Sequence, residues 1–241
     1  MKYIVLGMNK SGTTLITKIL HESGINMGTF DSRIDYYKGQ QYERNEIHDV
    51  IINMLNAKNI HSLDTIPPFN ENLILKNFSK FINIIEECNL NYNLWGFKNP
   101  RTIFVYDYIK QHLGEHKLIC IYRNLEKVVA HYSQYNIRHI LKVIKAWRIY
   151  NDKMINILAK ADVEFILLNY EKFMSDSKQL QKLESFLNSP LKDCRNKIKK
   201  KTPSSYKKAI SKYISNLFIL FNVMGLKTIF NKLASIEKSK I

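Results

Sequence analysis

The sequence predicts a three-layer α/β fold with a mainly parallel central sheet, and three observations carry that expectation. The chain opens with a short apolar run, Tyr3-Ile4-Val5-Leu6, then the glycine-punctuated turn Gly7 to Thr14, then Leu15, Ile16, Ile19 and Leu20 at helical spacing. Lys117 to Tyr122 (KLICIY) is a continuous apolar run of the kind buried on both faces of a parallel sheet. Helical patterns separate the strand patterns along the chain, as parallel connections require.

The first helix is expected over about 13–23, and Gly24 to Arg33 reads as loop because Gly24, Asn26 and Gly28 interrupt it. A second helix over 45–57 presents Ile47, Val50, Ile51, Met54 and Leu55 on one face. Pro67-Pro68 marks a turn, and 74–87 is helical again, with Phe78, Phe81, Ile82 and Ile85 as its stripe. Leu94 to Phe97 is a short strand ending at Lys98, and Asn99-Pro100 starts a helix through Leu113. After the 117–122 strand come a helix from Glu126, a long helix over 139–161, and a last strand over 163–169. Ser175 to Leu187 is helical with Ser175 at its cap. Tyr206 to Leu233 is helical with a very apolar middle, too short and too lysine-flanked to span a bilayer.

The 241 residues suit one α/β domain over 1–203 with a basic, apolar helical extension over 204–241. Apolar residues make up 45% of the chain, enough for a core. Lys and Arg number 37 against 21 Asp and Glu, and the net charge of +16 calls for an anionic partner. No zinc spacing, RNP-type aromatic signature or helix-turn-helix pattern accompanies that charge, which disfavours nucleic acid. Cys88, Cys120 and Cys194 are isolated, which fits a reducing compartment and argues against a disulfide framework or a metal site. With no leader pattern and no spanning run, the expected location is cytoplasmic. The 206–233 segment is expected to pack on the domain, the other reading being peripheral contact with an anionic membrane. Oligomeric state is not legible.

The chemistry concentrates where strands end. Gly7 to Thr14 is a strand-loop-helix of P-loop-like design, in which Gly7 and Gly12 let the backbone approach an anion and the helix start adds unpaired N–H groups. Lys10 supplies a charge, and Ser11, Thr13 and Thr14 supply hydroxyls. The loop departs from the nucleotide-triphosphate pattern, because Thr13 follows Gly12 where that pattern has lysine. An ATPase or GTPase is therefore disfavoured.

Lys10-Ser11-Gly12-Thr13-Thr14 after a first strand resembles the 5′-phosphosulfate loop of sulfotransferases that use 3′-phosphoadenosine-5′-phosphosulfate. Ile121 to Ser133 is similar to that family's 3′-phosphate segment, with Arg123 after a strand, Leu125 in place of a proline, and His131 in place of a serine. Trp95-Gly96-Phe97-Lys98-Asn99-Pro100-Arg101 looks like the W-G-x-K-D-P-R segment of bacterial members, with Asn99 for aspartate. Gly39-Gln40-Gln41-Tyr42-Glu43 resembles its G-x-x-E segment, and Asn169-Tyr170-Glu171-Lys172-Phe173 its closing segment.

The resemblance implies a metal-independent sulfotransferase. Lys10 and the loop from Ser11 through Gly12 and Thr13 to Thr14 would hold the phosphosulfate, and Arg123 with His131 or Ser133 the 3′-phosphate. Glu43 would take the acceptor proton, with Glu46 and His48 as neighbours able to replace it. Lys10 and Lys98 would stabilise charge on the transferring group, and Arg101 would face the acceptor, a hydroxyl on a small molecule, a carbohydrate or a lipid. Tyr170 and Glu171 are expected to be structural. A small-molecule phosphotransferase would share the turn, and a non-catalytic nucleic-acid or membrane binder on a degenerate fold would use the charge.

Overall fold

Four parallel strands organise the molecule: β1 (Lys2–Leu6), β2 (Trp95–Lys98), β3 (His116–Tyr122) and β4 (Phe165–Asn169), in the order β2-β1-β3-β4. Register aligns Val5 with Lys98 and with Ile119, and Tyr122 with Asn169, so all four strands end along one carboxyl edge. The computed structural model describes residues 1–28, 42–61, 63–64, 70–133, 140–195 and 225–239. Around the sheet lie α1 (Thr13–Glu22), α2 (Asn45–Met54), α3 (Glu71–Asn91), α4 (Thr102–Leu113), α5 (Leu125–Ser133), α6 (Ile140–Ala159), α7 (Tyr170–Ser175), α8 (Lys178–Leu187) and α9 (Leu226–Ser239).

Strand alternation divides the core in two. Ile4, Leu6, Leu118, Cys120 and Tyr122 face one layer, with Ile47, Phe81, Val105, Val128, Trp147 and Leu233 from the helices. Tyr3, Val5, Ile119, Ile121, Ile166 and Leu168 face the other, with Ile16, Ile19, Leu20 and Leu183 from α1 and α8. This is why KLICIY carries no polar face: both of its faces are covered, as expected. The three layers and the parallel sheet agree with the fold class read from the sequence.

The differences are local. The last strand begins at Phe165 and is followed at once by α7, a helix the sequence reading did not separate from the strand end. Its start is set by the Asn169 side chain, which accepts a hydrogen bond from Lys172 N at 3.1 Å. Ser175 closes α7, its hydroxyl donating to Glu171 O at 3.0 Å, so it does not cap the next helix. α4 starts at Thr102 because Asn99 Oδ1 accepts from Arg101 N at 2.8 Å and holds the chain in a turn first. α9 runs on to Ser239, and its Leu226, Ile229 and Leu233 are buried in the first core cluster. Gly39 to Gln41, Pro67-Pro68, the 203/204 boundary and the 206–224 part of the C-terminal segment lie outside the described residues, as does the Ser133 side chain.

Candidate active site

Three groups of side chains stand on the carboxyl edge, one at the end of each of β2, β1 and β3. At β1 the loop is shaped by its own backbone. Lys10 (φ 68) and Gly12 (φ 103) both occupy the left-handed region. A Cβ on Gly12 would run into the Tyr170 ring. Leu15 N and Ile16 N both turn back to Gly12 O, at 3.0 and 3.2 Å, so the first turn of α1 opens there. The N–H groups of Thr13 and Thr14 belong to that opening turn and have no earlier helical carbonyl to reach. Ser11 is buried and its hydroxyl donates to Met8 O at 2.6 Å. That hydroxyl braces the loop, and Ser11 N also donates to Met8 O at 3.2 Å, so both donors of Ser11 are spent on the loop rather than on the ligand contact the sequence suggested.

At β3, Arg123 is set from three sides. Its Nε donates to Glu171 Oε1 at 2.9 Å and its Nη1 to Lys10 O at 3.2 Å, while the guanidinium carbon lies 4.5 Å from the centre of the Tyr170 ring. Glu171 Oε2 also accepts from Asn124 N at 3.1 Å, and Trp147 Nε1 donates to Arg123 O at 2.8 Å. Nη2 has no partner among the described residues. Arg123 is thus tied to Glu171 rather than to Glu126, the partner an exposed ion pair would have used. Beside it sits His131. Burial first, then the charges of Lys10 and Arg123, push its imidazole down from 6.5 to about 4. Three nitrogen-bearing side chains from two strand ends and α5 therefore converge on one place with excess positive potential. Ser133 cannot be compared with His131 here, since its side chain is outside the described residues.

At β2, Glu43 is held between two nitrogens. Lys98 Nζ donates to Glu43 Oε1 at 2.7 Å, and His48 Nδ1 lies 2.7 Å from Glu43 Oε2. Lys98 is only 2% exposed. Burial alone would raise the Glu43 carboxyl, but the Lys98 charge and the His48 hydrogen bond outweigh it and bring the group from 4.5 down to about 2. The segment is fixed from the next residue: Arg44 Nη2 donates to Asn26 O and Oδ1 at 3.1 and 2.6 Å, against the edge of β2. Lys98 therefore meets Glu43 directly, where the sequence had placed it on the transferring group. Arg101 also differs from expectation. Its guanidinium is buried and donates to Ala57 O at 2.9 Å and to Ile60 O, so it ties down the chain after α2. Tyr150 of α6 completes the floor, hydrogen-bonded with Arg101 and within reach of the Glu43 charge, its phenol pushed up mainly by burial.

Lys10, Arg123 and His131 are thus brought together, and Glu43 and Lys98 with each other, while Arg101 and the Ser11 hydroxyl are committed to the backbone. Glu171, Arg44 and Tyr150 carry functions of position that sequence reading gave lower rank or none, and His48, ranked below Glu43 there, is bonded to it directly. A carboxylate directly after the last strand was the one available signal for Glu171. Among the described residues no His, Cys, Asp and Glu cluster could hold a metal ion, and no helix is long and apolar enough to cross a membrane.

A model of the Sulfotransferase family matches residues 3–193. No curated protein matches the chain. Among solved structures, it is similar to the sulfotransferase domain of the Synechococcus PCC 7002 olefin synthase, with 13% identity and a TM-score of 0.54 over 81% of this chain and 76% of that one. It is also similar to a sulfotransferase from Mycobacterium tuberculosis H37Rv, with 12% identity and a TM-score of 0.54 over 81% of this chain and 69% of that one. At such identities the structures show a shared fold. The family match, however, spans all four strands, the N-terminal loop and each strand-end group: the chain belongs to the sulfotransferase family and is a sulfotransferase.

Proposed function

We propose that the chain moves a sulfuryl group from 3′-phosphoadenosine-5′-phosphosulfate to an acceptor hydroxyl on a small molecule or glycan. The observation that carries this reading is the convergence of Lys10, Arg123 and His131 on one edge, the imidazole lowered by burial first and by the two cations next. Such a cluster is costly to maintain without an anion to receive its donors. Two anionic groups fit the edge: one at the Lys10 loop and first turn of α1, one at Arg123 Nη2 and His131. Lys10 neutralises charge that grows on the leaving phosphate side as transfer proceeds. The Glu43–His48 pair, one strand over, takes the acceptor proton. Because β1 and β2 are neighbours, about 5 Å separates their backbones, which keeps proton removal close to the loop that holds sulfur.

Binding of adenosine 3′,5′-bisphosphate tests this. The nucleotide is expected to raise the thermal midpoint of the wild type, and Lys10→Ala to weaken its binding about 10- to 100-fold, the range of one charge-assisted hydrogen bond. Equal affinity in the two proteins would remove Lys10 from the site. Transfer of label from 35S-labelled donor to a panel of phenols, sugars and lipid alcohols then identifies the acceptor class.

A further inference from the structure

We infer that the proton acceptor of this site is Nε2 of His48, and that Glu43 is a positioning residue that fixes which nitrogen does the work. The inference rests on the sulfuryl-transfer reading above and deepens it.

The argument begins with the carboxylate. Both Glu43 oxygens are engaged, Oε1 by Lys98 and Oε2 by His48, each at 2.7 Å. Each oxygen thus already accepts a charge-assisted hydrogen bond, the side chain is only 11% exposed, and the same two partners hold it at about 2, which makes it a weak base. The next question is the direction of the His48 bond. Asn99 Nδ2 lies 3.1 Å from the same Nδ1, and Asn99 Oδ1 is assigned by its bond from Arg101 N. Nδ1 cannot both accept from that amide and donate to Glu43. An unprotonated Nδ1 would put a lone pair 2.7 Å from a carboxylate that Lys98 keeps ionised. Donation to Glu43 is the shorter, charge-assisted bond, so Nδ1 carries the proton. The lone pair is then on Nε2, which has no partner among the described residues, and the His48 side chain is 38% exposed.

The surroundings preserve this arrangement. Arg44, bound to Asn26, anchors the segment before α2 that carries Glu43. The other charged groups around the pair are Lys98 from β2, Arg44 one turn before His48, and Glu46 and Asp49 on the same helix. Tyr150 approaches from α6, and α3 meets α2 through apolar side chains such as Phe81 and Ile85. A carboxylate, an imidazole and a reacting hydroxyl in series is the same division of labour as in a hydrolytic triad. In the transfer step the acceptor oxygen bonds to sulfur as the bond from sulfur to the bridging oxygen breaks. The acceptor proton passes to His48 Nε2, and the electron pair of the broken bond leaves with the bisphosphate.

Long-range 1H–15N spectra of wild type at neutral pH are expected to show His48 protonated at Nδ1 and bare at Nε2, and Glu43→Gln to erode that preference. Donor hydrolysis, in which water replaces the acceptor, supplies the kinetic arm. The wild-type rate should fall on the acid side. His48→Gln should slow it about 10²- to 10⁴-fold and remove that limb without changing bisphosphate affinity. Free imidazole should restore part of the rate to His48→Ala. A bare Nδ1 in the wild type, or a wild-type rate and acid limb in His48→Gln, would overturn the inference while leaving donor binding standing. Failure of the wild type to bind the bisphosphate would instead remove the function reading beneath it.

Discussion

The Glu43–Lys98 pair should behave as a buried ion pair whose partners cannot be removed singly without a large loss. Lys98 is 2% exposed and the Glu43 side chain 11%, so neither charge finds water when the other is deleted. Glu43→Gln leaves the ammonium buried without its carboxylate, and this is expected to cost about 3–5 kcal/mol. Lys98→Met should cost somewhat less, because His48 still holds one Glu43 oxygen. The double variant removes both charges and should recover most of the loss, giving a coupling of about 3 kcal/mol. The pH dependence offers the same quantity by another route. A carboxyl brought from 4.5 to about 2 contributes roughly 3 kcal/mol, present above 4.5 and lost as pH falls through about 2. Urea unfolding followed by fluorescence of the buried Trp95 and Trp147 reads both. Additivity of the single variants to within about 0.5 kcal/mol, or a wild type whose acid loss between 4.5 and about 2 persists unchanged in Glu43→Gln, would refute the pairing.

Two further outcomes follow from the same edge. Gly12→Ala places a methyl against the Tyr170 ring at φ 103, so it should lower stability by about 1–3 kcal/mol and weaken bisphosphate binding together, whereas a Kd equal to wild type would show that the loop absorbs the clash. His131, whose folded value lies near 4 against 6.5 when unfolded, takes up its proton only in the unfolded chain across that window, so wild-type stability should decline as pH falls from 6.5 to 4. His131→Gln should flatten that decline, and a slope identical to wild type would mean that the imidazole is not held neutral.

The strands and the loop were legible because their signals are local: β-branched runs, glycine punctuation and helical spacing within a few residues of one another. The three-layer arrangement followed from the apolar runs of β1 and β3 and from the helical patterns that separate the strands. What escaped were side-chain pairings between distant segments. Nothing in the neighbourhood of Arg123 says that its carboxylate will be Glu171, because β4 is delivered beside β3 only by folding. Arg101 looked like a ligand contact since arginine at a strand end so often is, yet its nearest acceptors are the carbonyls of Ala57 and Ile60. For Glu43, sequence could nominate a carboxylate but could not count how many of its oxygens were already bonded. α7 was missed because Asn169 serves both as the last residue of β4 and as the cap of the next helix.

Glu237 of α9 is 3% exposed and accepts a hydrogen bond from Tyr122 at 2.9 Å and from Lys172 at 3.0 Å. Tyr122 directly precedes Arg123, and 115 residues of chain separate it from Glu237. A contact closed over so long a loop brings its ordering cost late and its reward later still. During synthesis the sheet and the N-terminal loop can therefore assemble before the support behind Arg123 exists. The strand-end edge would then pass through a stage in which its first half is built and its second half waits for α9. On the proposed donor reading, a nucleotide that binds only the finished edge would draw the late contact closed and so act on folding as well as on catalysis.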